Sequence, residues 1–171
     1  MGVAVDMRAD NMSSRSGAKD MPNSGPVLVA VDLLPASEKP VLWACEYAQS
    51  VRASVCIVHA VHEPVSAPGL YRKSQRSNNL PEPLDVAAGR MMEQLLSEMR
   101  GTHSGLSPLH NADTVLVTGL PQNRIVEIVE DKNAQVLVLG HRQRTGLQNL
   151  LDGSVAWHVM QKVSVPVVVI S

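Results

Sequence analysis

Apolar residues fall along this chain in two rhythms, short unbroken runs and longer stretches with three-four spacing, and the two rhythms alternate. The runs are V-L-V-A-V from Val27, S-V-C-I-V-H-A-V from Ser54 to Val61, D-T-V-L-V-T from Asp113 to Thr118, Q-V-L-V-L from Gln135 to Leu139 and V-P-V-V-V-I from Val165 to Ile170. Runs of this length, rich in β-branched residues and lacking polar alternation, predict strands buried on both faces. After the first run, Val41, Leu42, Cys45, Ala48 and Gln49 predict an amphipathic helix, with Ser37 as its cap and Pro40 in its first turn. A loop from Leu33 to Ala36 joins that helix to the first strand. A second helix is predicted from Asp85 to Arg100 through Val86, Ala87, Met91, Met92, Leu95, Leu96 and Met99, with Gly101 as its stop. A third follows the Gly119-Leu120-Pro121 turn and carries Ile125, Ile128 and Val129, and a fourth runs from Leu150 to Val163 with Val155, Val159 and Met160 inward.

Five strands alternating with four helices imply a parallel, doubly wound sheet, because parallel neighbours need crossovers and these are right-handed. Ligands in such sheets bind outside the carboxyl ends of the strands, where the winding direction reverses. If strands one and four flank that place, Asp32 and Gly140 face each other across one crevice. Pro166 cannot donate to a ladder, so the last strand belongs on an edge. An edge of valines without charges invites pairing with a second copy of the chain. Two segments fit neither rhythm. Residues 1–26 mix Ser, Asn, Asp, Arg, Lys and Gly, which reads as a disordered tail or a cloning remnant, and leaves 27–171 as one domain. Glu63 to Leu84, with four prolines and the basic group Tyr71-Arg72-Lys73, reads as a long functional loop.

Composition narrows the picture. With 171 residues and 44% hydrophobic content there is material for one ordinary core. Fifteen basic against sixteen acidic side chains give a net charge of −1, which supplies no pull toward nucleic acid or an anionic membrane. No apolar run has the length of a membrane span, and the first residues do not read as a secretion signal, so a cytoplasmic location is expected. Cys45 and Cys56 each sit inside an apolar pattern and read as buried thiols. The absence of Phe makes the core aliphatic.

The most informative stretch is V-L-V-L-G-H-R-Q-R-T-G-L-Q-N-L-L-D-G-S-V, from Val136 to Val155. A buried strand that breaks at a glycine, crosses a cationic loop and enters a helix through Gly-Ser suits an anionic group, and a phosphate first of all. This spacing resembles the nucleotide-binding signature of the universal stress protein family, within the adenine nucleotide alpha-hydrolase-like superfamily. Five further pieces carry the same resemblance in order: V-L-V-A-V-D, I-V-H-A-V, G-L-P, L-L-D-G-S-V-A-W-H-V and the final V-P-V-V-V-I.

The resemblance implies a flavodoxin- or Rossmann-like α/β fold, a three-layer doubly wound five-stranded parallel sheet of strand order 3-2-1-4-5, dimeric through Val165 to Ile170. It implies roles for single residues too. Asp32 would hydrogen-bond adenosine, Ala30 and Val31 would line the base site, and Ala60 would offer its backbone to the adenine edge. Leu139 and Gly140 would lie under ribose and phosphates, while Gly153, Ser154 and Val155 would present amides and a hydroxyl to the phosphates. The residues by themselves leave Asp32 open, as ligand contact or as a satisfied polar strand end. Gln143 departs from the pattern, which has glycine there, and its side chain could strain or obstruct the site; Arg142 and Arg144 add positive charge, and Gly146 adds flexibility. Leu33 and Leu34 stand where a Ser or Thr is usual.

Other chemistry finds little support in the sequence. His59 and His62 are three apart on a strand end and face opposite sides, with no Cys or carboxylate at ligand spacing, so no metal site is expected. His59 reads as a partly buried strand-end imidazole. Neither a nucleophile elbow nor a P-loop is present, no catalytic residues are assigned, and at most slow ATP hydrolysis is expected. The expectation is therefore an ATP-binding homodimeric sensor in stress response, taking ATP or else AMP or ADP, with Mg²⁺ as companion ion. Nucleotide occupancy would order the long loop and change the docking of an unknown regulatory protein. The alternative is a partner-binding dimer that takes no nucleotide because Gln143 closes the crevice.

Overall fold

A computed structural model of the chain describes residues 25–62, 83–140 and 155–171. Five strands form one all-parallel sheet: β1 (Val27–Ala30), β2 (Val55–Val61), β3 (Asp113–Thr118), β4 (Val136–Gly140) and β5 (Val167–Ile170), in the order β3-β2-β1-β4-β5. The helices are α1 (Glu38–Val51), α2 (Leu84–Thr102), α3 (Ser107–His110), α4 (Pro121–Asp131) and α5 (Val155–Met160). The expected fold class and strand order are what the structure has.

The period of two along each strand sorts the side chains into two cores. Val27, Val29, Ile57 and Val138 face α1, α2 and α3, together with Val41, Ala48, Leu96 and Leu109. Leu28, Val58, Leu137 and Leu139 face the other way, toward Ile125, Val129, Ala156 and Val159 of α4 and α5. Leu28, Ile57, Leu96, Leu109 and Leu137 are fully buried, and each aliphatic side chain of that kind contributes about 1.5–3 kcal/mol. β1 sits at the centre between β2 and β4, with Val29 opposite both Ile57 and Val138. Winding proceeds from β1 outward to β3 and then returns past β1 to β4, so the reversal lies between β1 and β4.

Several local details differ from the sequence expectation. The packed chain extends two residues ahead of β1: Gly25 is buried, its carbonyl accepts from Gln135 Nε2 at 2.8 Å, and Pro26 O accepts from Gln135 N at 3.1 Å. A Cβ on Gly25 would lie 1.7 Å from Asn133 O, so only glycine fits this close approach. α2 runs through Gly101 to Thr102, where His103 N closes onto Met99 O at 2.8 Å. The short helix α3 was not expected. Gly119, with φ of 135°, turns the chain between β3 and α4, as the Gly-Leu-Pro sequence predicts. β5 is an edge strand, and the Pro166 carbonyl accepts from Leu137 N at 3.0 Å while its missing donor costs nothing. Of the last helix expected from Leu150, residues 150–154 lie outside the described residues, as do 63–82 of the long loop.

Candidate nucleotide site at the carboxyl ends of β1 and β4

The last ladder contact of β1 is made by Val31, whose N–H donates to Val58 O at 2.9 Å. Asp32, exposed, is the first residue beyond the sheet and closes its own turn. Its Oδ1 accepts from the Leu34 amide at 3.1 Å and from Ser37 Oγ at 2.8 Å. Between them Leu33 takes a left-handed backbone, φ 57°, with its side chain in the core at 7% exposure. Such a conformation costs a residue with a Cβ about 1–2 kcal/mol, which the burial of a leucine offsets. Leu33 therefore fills no part of the crevice.

Ser37 corrects the sequence expectation. Its backbone is already helical, φ −69° and ψ −17°, it makes no side-chain cap bond, and its hydroxyl reaches back to Asp32. A short 3-10 turn (Pro35–Ser37) precedes α1 and leaves that hydroxyl pointing at the carboxylate. Asp32 is thus a polar strand end engaged by its own turn.

His59, expected as a partly buried strand-end imidazole, is more deeply placed than that. It is buried to 4% exposure, on the α1 and α2 face of β2, with Nδ1 2.8 Å from the Val31 carbonyl. A carbonyl only accepts, so Nδ1 carries the hydrogen. Burial pushes the imidazole pKa below its ordinary value, against the opposing pull of the Val31 bond and the Asp32 carboxylate, so the ring is neutral at pH 7.

The tip of β4 is different in kind. Leu139 is buried opposite Ala30, and Gly140 is exposed opposite Ile170. The φ of Gly140 is not among the positive ones, and a Cβ there would meet Pro40 Cγ at 3.4 Å, an ordinary contact. The described fold does not require glycine at this position. On β2, Ala60 is buried two residues beyond the partner of Ala30, level with Asp32, and its carbonyl accepts from His62 Nδ1 at 3.2 Å. Ala30, Val31, Asp32, Ala60, Leu139 and Gly140 are therefore brought to one edge of the sheet at the reversal point. Val155 opens α5 and is exposed, but no strand register relates it to them. Arg142, Gln143, Gly153 and Ser154 lie outside the described residues.

Beside this crevice, at the ends of β2 and β3, lies an open cleft of about 540 Å³ lined by Val61, His62, Leu84, Asp85, Thr118, Gly119 and Leu120. Among the described residues, no three His, Cys, Asp or Glu side chains gather as a metal site. Both cysteines are free and buried, and burial pushes each thiol up to about 11.

The family model of the universal stress protein family matches residues 24–171. This chain belongs to that family. Its resemblance to single members is more modest. Universal stress protein MJ0531 of Methanocaldococcus jannaschii is 42% identical over 57 residues, 33% of this chain and 34% of that one. The universal stress protein A homolog 1 of Coxiella burnetii is 27% identical over 126 residues, 73% of this chain and 81% of that one. The matches to MJ0531 and to universal stress protein MJ0577 of the same organism span about a third and about half of those proteins. Among solved folds, a universal stress protein from Archaeoglobus fulgidus in complex with dAMP superposes with a TM-score of 0.60 at 22% identity, covering 87% of this chain and 99% of that one. Another universal stress protein, in complex with cAMP, gives 0.58 at 18%, over 86% and 98%. These universal stress proteins share the five-stranded fold.

Proposed function

We propose that this universal stress protein binds an adenine nucleotide in the crevice between β1 and β4 and acts as a nucleotide-dependent regulator in stress response. The observation that carries the reading is Gly140. It ends the strand beside the reversal point and is exposed, yet neither its backbone angle nor its neighbours among the described residues call for glycine, so the missing side chain leaves the backbone open to close approach by a ligand. Ala30, Val31 and Ala60 would line the base, Asp32 would meet the ribose, and Gly153, Ser154 and Arg142 would serve the phosphates, with Mg²⁺ carried by the phosphate oxygens. The dAMP and cAMP complexes of proteins with this fold support the ligand class, and ATP itself is our proposal. So are a cytoplasmic location and a homodimer paired through β5, whose outer edge has no strand partner among the described residues.

Calorimetric titration with ATP, ADP and AMP, with and without Mg²⁺, tests the reading. Saturable binding at micromolar nucleotide is expected, and no binding at millimolar ligand rejects it. A second reading, a partner-binding dimer that takes no nucleotide, gains support from Asp32 Oδ1, which two groups of its own turn already engage. It predicts that Gln143→Gly creates affinity that the wild type lacks.

A further inference from the structure

The β1 ladder ends one residue before Asp32, and beyond that point no neighbouring strand among the described residues pairs with the chain. The route is set instead by two polar anchors on either side of one strained residue. On the entry side, the buried His59 ring donates from Nδ1 to the Val31 carbonyl at 2.8 Å. On the exit side, Asp32 Oδ1 accepts from Leu34 N and Ser37 Oγ. Leu33, left-handed at φ 57°, lies between them. A residue with a Cβ holds that conformation only where its surroundings over-determine it. If the entry anchor is lost, the peptide after Val31 is free to rotate, Leu33 can return to a right-handed conformation, and the Asp32 carboxylate leaves its place.

We infer that His59 is the positioning residue of this site: its hydrogen bond to the Val31 carbonyl fixes the strained turn that presents Asp32, and so sets nucleotide affinity from a buried position one strand away. The affinity arm of this inference rests on the nucleotide reading above; the structural arm does not. A ring that merely filled the core would be replaceable by any apolar side chain of similar size. A positioning ring needs its Nδ1 hydrogen, and asparagine can offer an amide N–H at nearly the same place, whereas leucine cannot.

The test compares His59→Leu and His59→Asn with the wild-type chain by amide hydrogen exchange and by ATP titration. The expected result for His59→Leu is at least tenfold faster exchange at the Leu34 amide, with Val29 and Val58 unchanged, and at least tenfold weaker ATP binding. His59→Asn is expected to stay within threefold of wild type in both. Unchanged Leu34 exchange in folded His59→Leu, or loss spread evenly over β1 and β2, overturns the inference. A wild-type chain that binds no ATP but shows the selective Leu34 effect refutes the nucleotide reading and supports the positioning role. Should His59→Leu fail to fold, the nitrogen spectrum of the wild-type imidazole decides: a protonated Nδ1 coupled to the Val31 carbonyl supports the inference, and a proton on Nε2 alone overturns it.

Discussion

The two strand tips that face each other across the crevice are built on opposite principles. The tip of β1 is held by side chains: His59 on Val31, Ser37 and the Leu34 amide on Asp32, and a buried, left-handed Leu33 between them. The tip of β4 ends in a residue with no side chain, where the described neighbours leave room for one. Among the described residues, the β1 wall is polar and tied by hydrogen bonds, and the β4 wall ends in bare backbone. The contrast teaches that substitutions on the β1 side should act on stability and binding together, whereas substitutions on the β4 side should act on binding alone.

The strongest way to break this contrast is Leu33→Ala. It removes a core side chain while leaving the left-handed strain in place, and a loss of about 2–4 kcal/mol in urea unfolding is expected. A loss under about 0.5 kcal/mol would mean that Leu33 does not hold the turn. Ser37→Ala comes next. Deleting a buried hydroxyl that donates to a carboxylate should cost about 1–2 kcal/mol, and a double-mutant cycle with Asp32→Ala should show that the two losses do not add.

The pH dependence of stability sharpens the same side. Burial lowers the His59 pKa in the folded chain, so between that value and the unfolded value near 6.5 the unfolded chain binds more protons. The His59 contribution is thus fully present above the unfolded pKa and is lost as pH falls below it toward the folded pKa. Urea titrations at stepped pH should show this fall, and His59→Asn should remove it. The smallest stability effect belongs to β4: Gly140→Ala should change unfolding by less than about 0.5 kcal/mol, since its methyl makes ordinary contact with Pro40, yet should weaken ATP binding about tenfold. Equal effects on both measurements would erase the contrast.

The architecture was legible because the apolar runs report burial on both faces, and the Gly119 turn and the Pro166 edge report backbone chemistry that no tertiary context overrides. The strand ends that frame the candidate site were legible too: Asp32 and Gly140 follow from where β1 and β4 stop. What was not legible depends on tertiary geometry. Ser37 has the composition of a helix cap, and only the 3-10 turn before α1 points it back to Asp32. Gly101 reads as a stop, but a glycine stops a helix most readily by turning left-handed, and Gly101 does not, so α2 passes through it. At the end of α1 that left-handed position is taken by Arg52, a residue no pattern would choose. The Leu33 conformation is likewise a product of the core that receives its side chain.

The most direct test of the account is a titration of the nitrogen-labelled chain with ATP followed by amide chemical shifts. The expected result is saturable movement of Ala30 to Leu34, Ala60, Leu139 and Gly140, while Thr118 and Leu120 in the neighbouring cleft stay still. Movement confined to that cleft, or no movement at millimolar ATP, would contradict the central claim that the reversal point between β1 and β4 is where this protein takes its nucleotide.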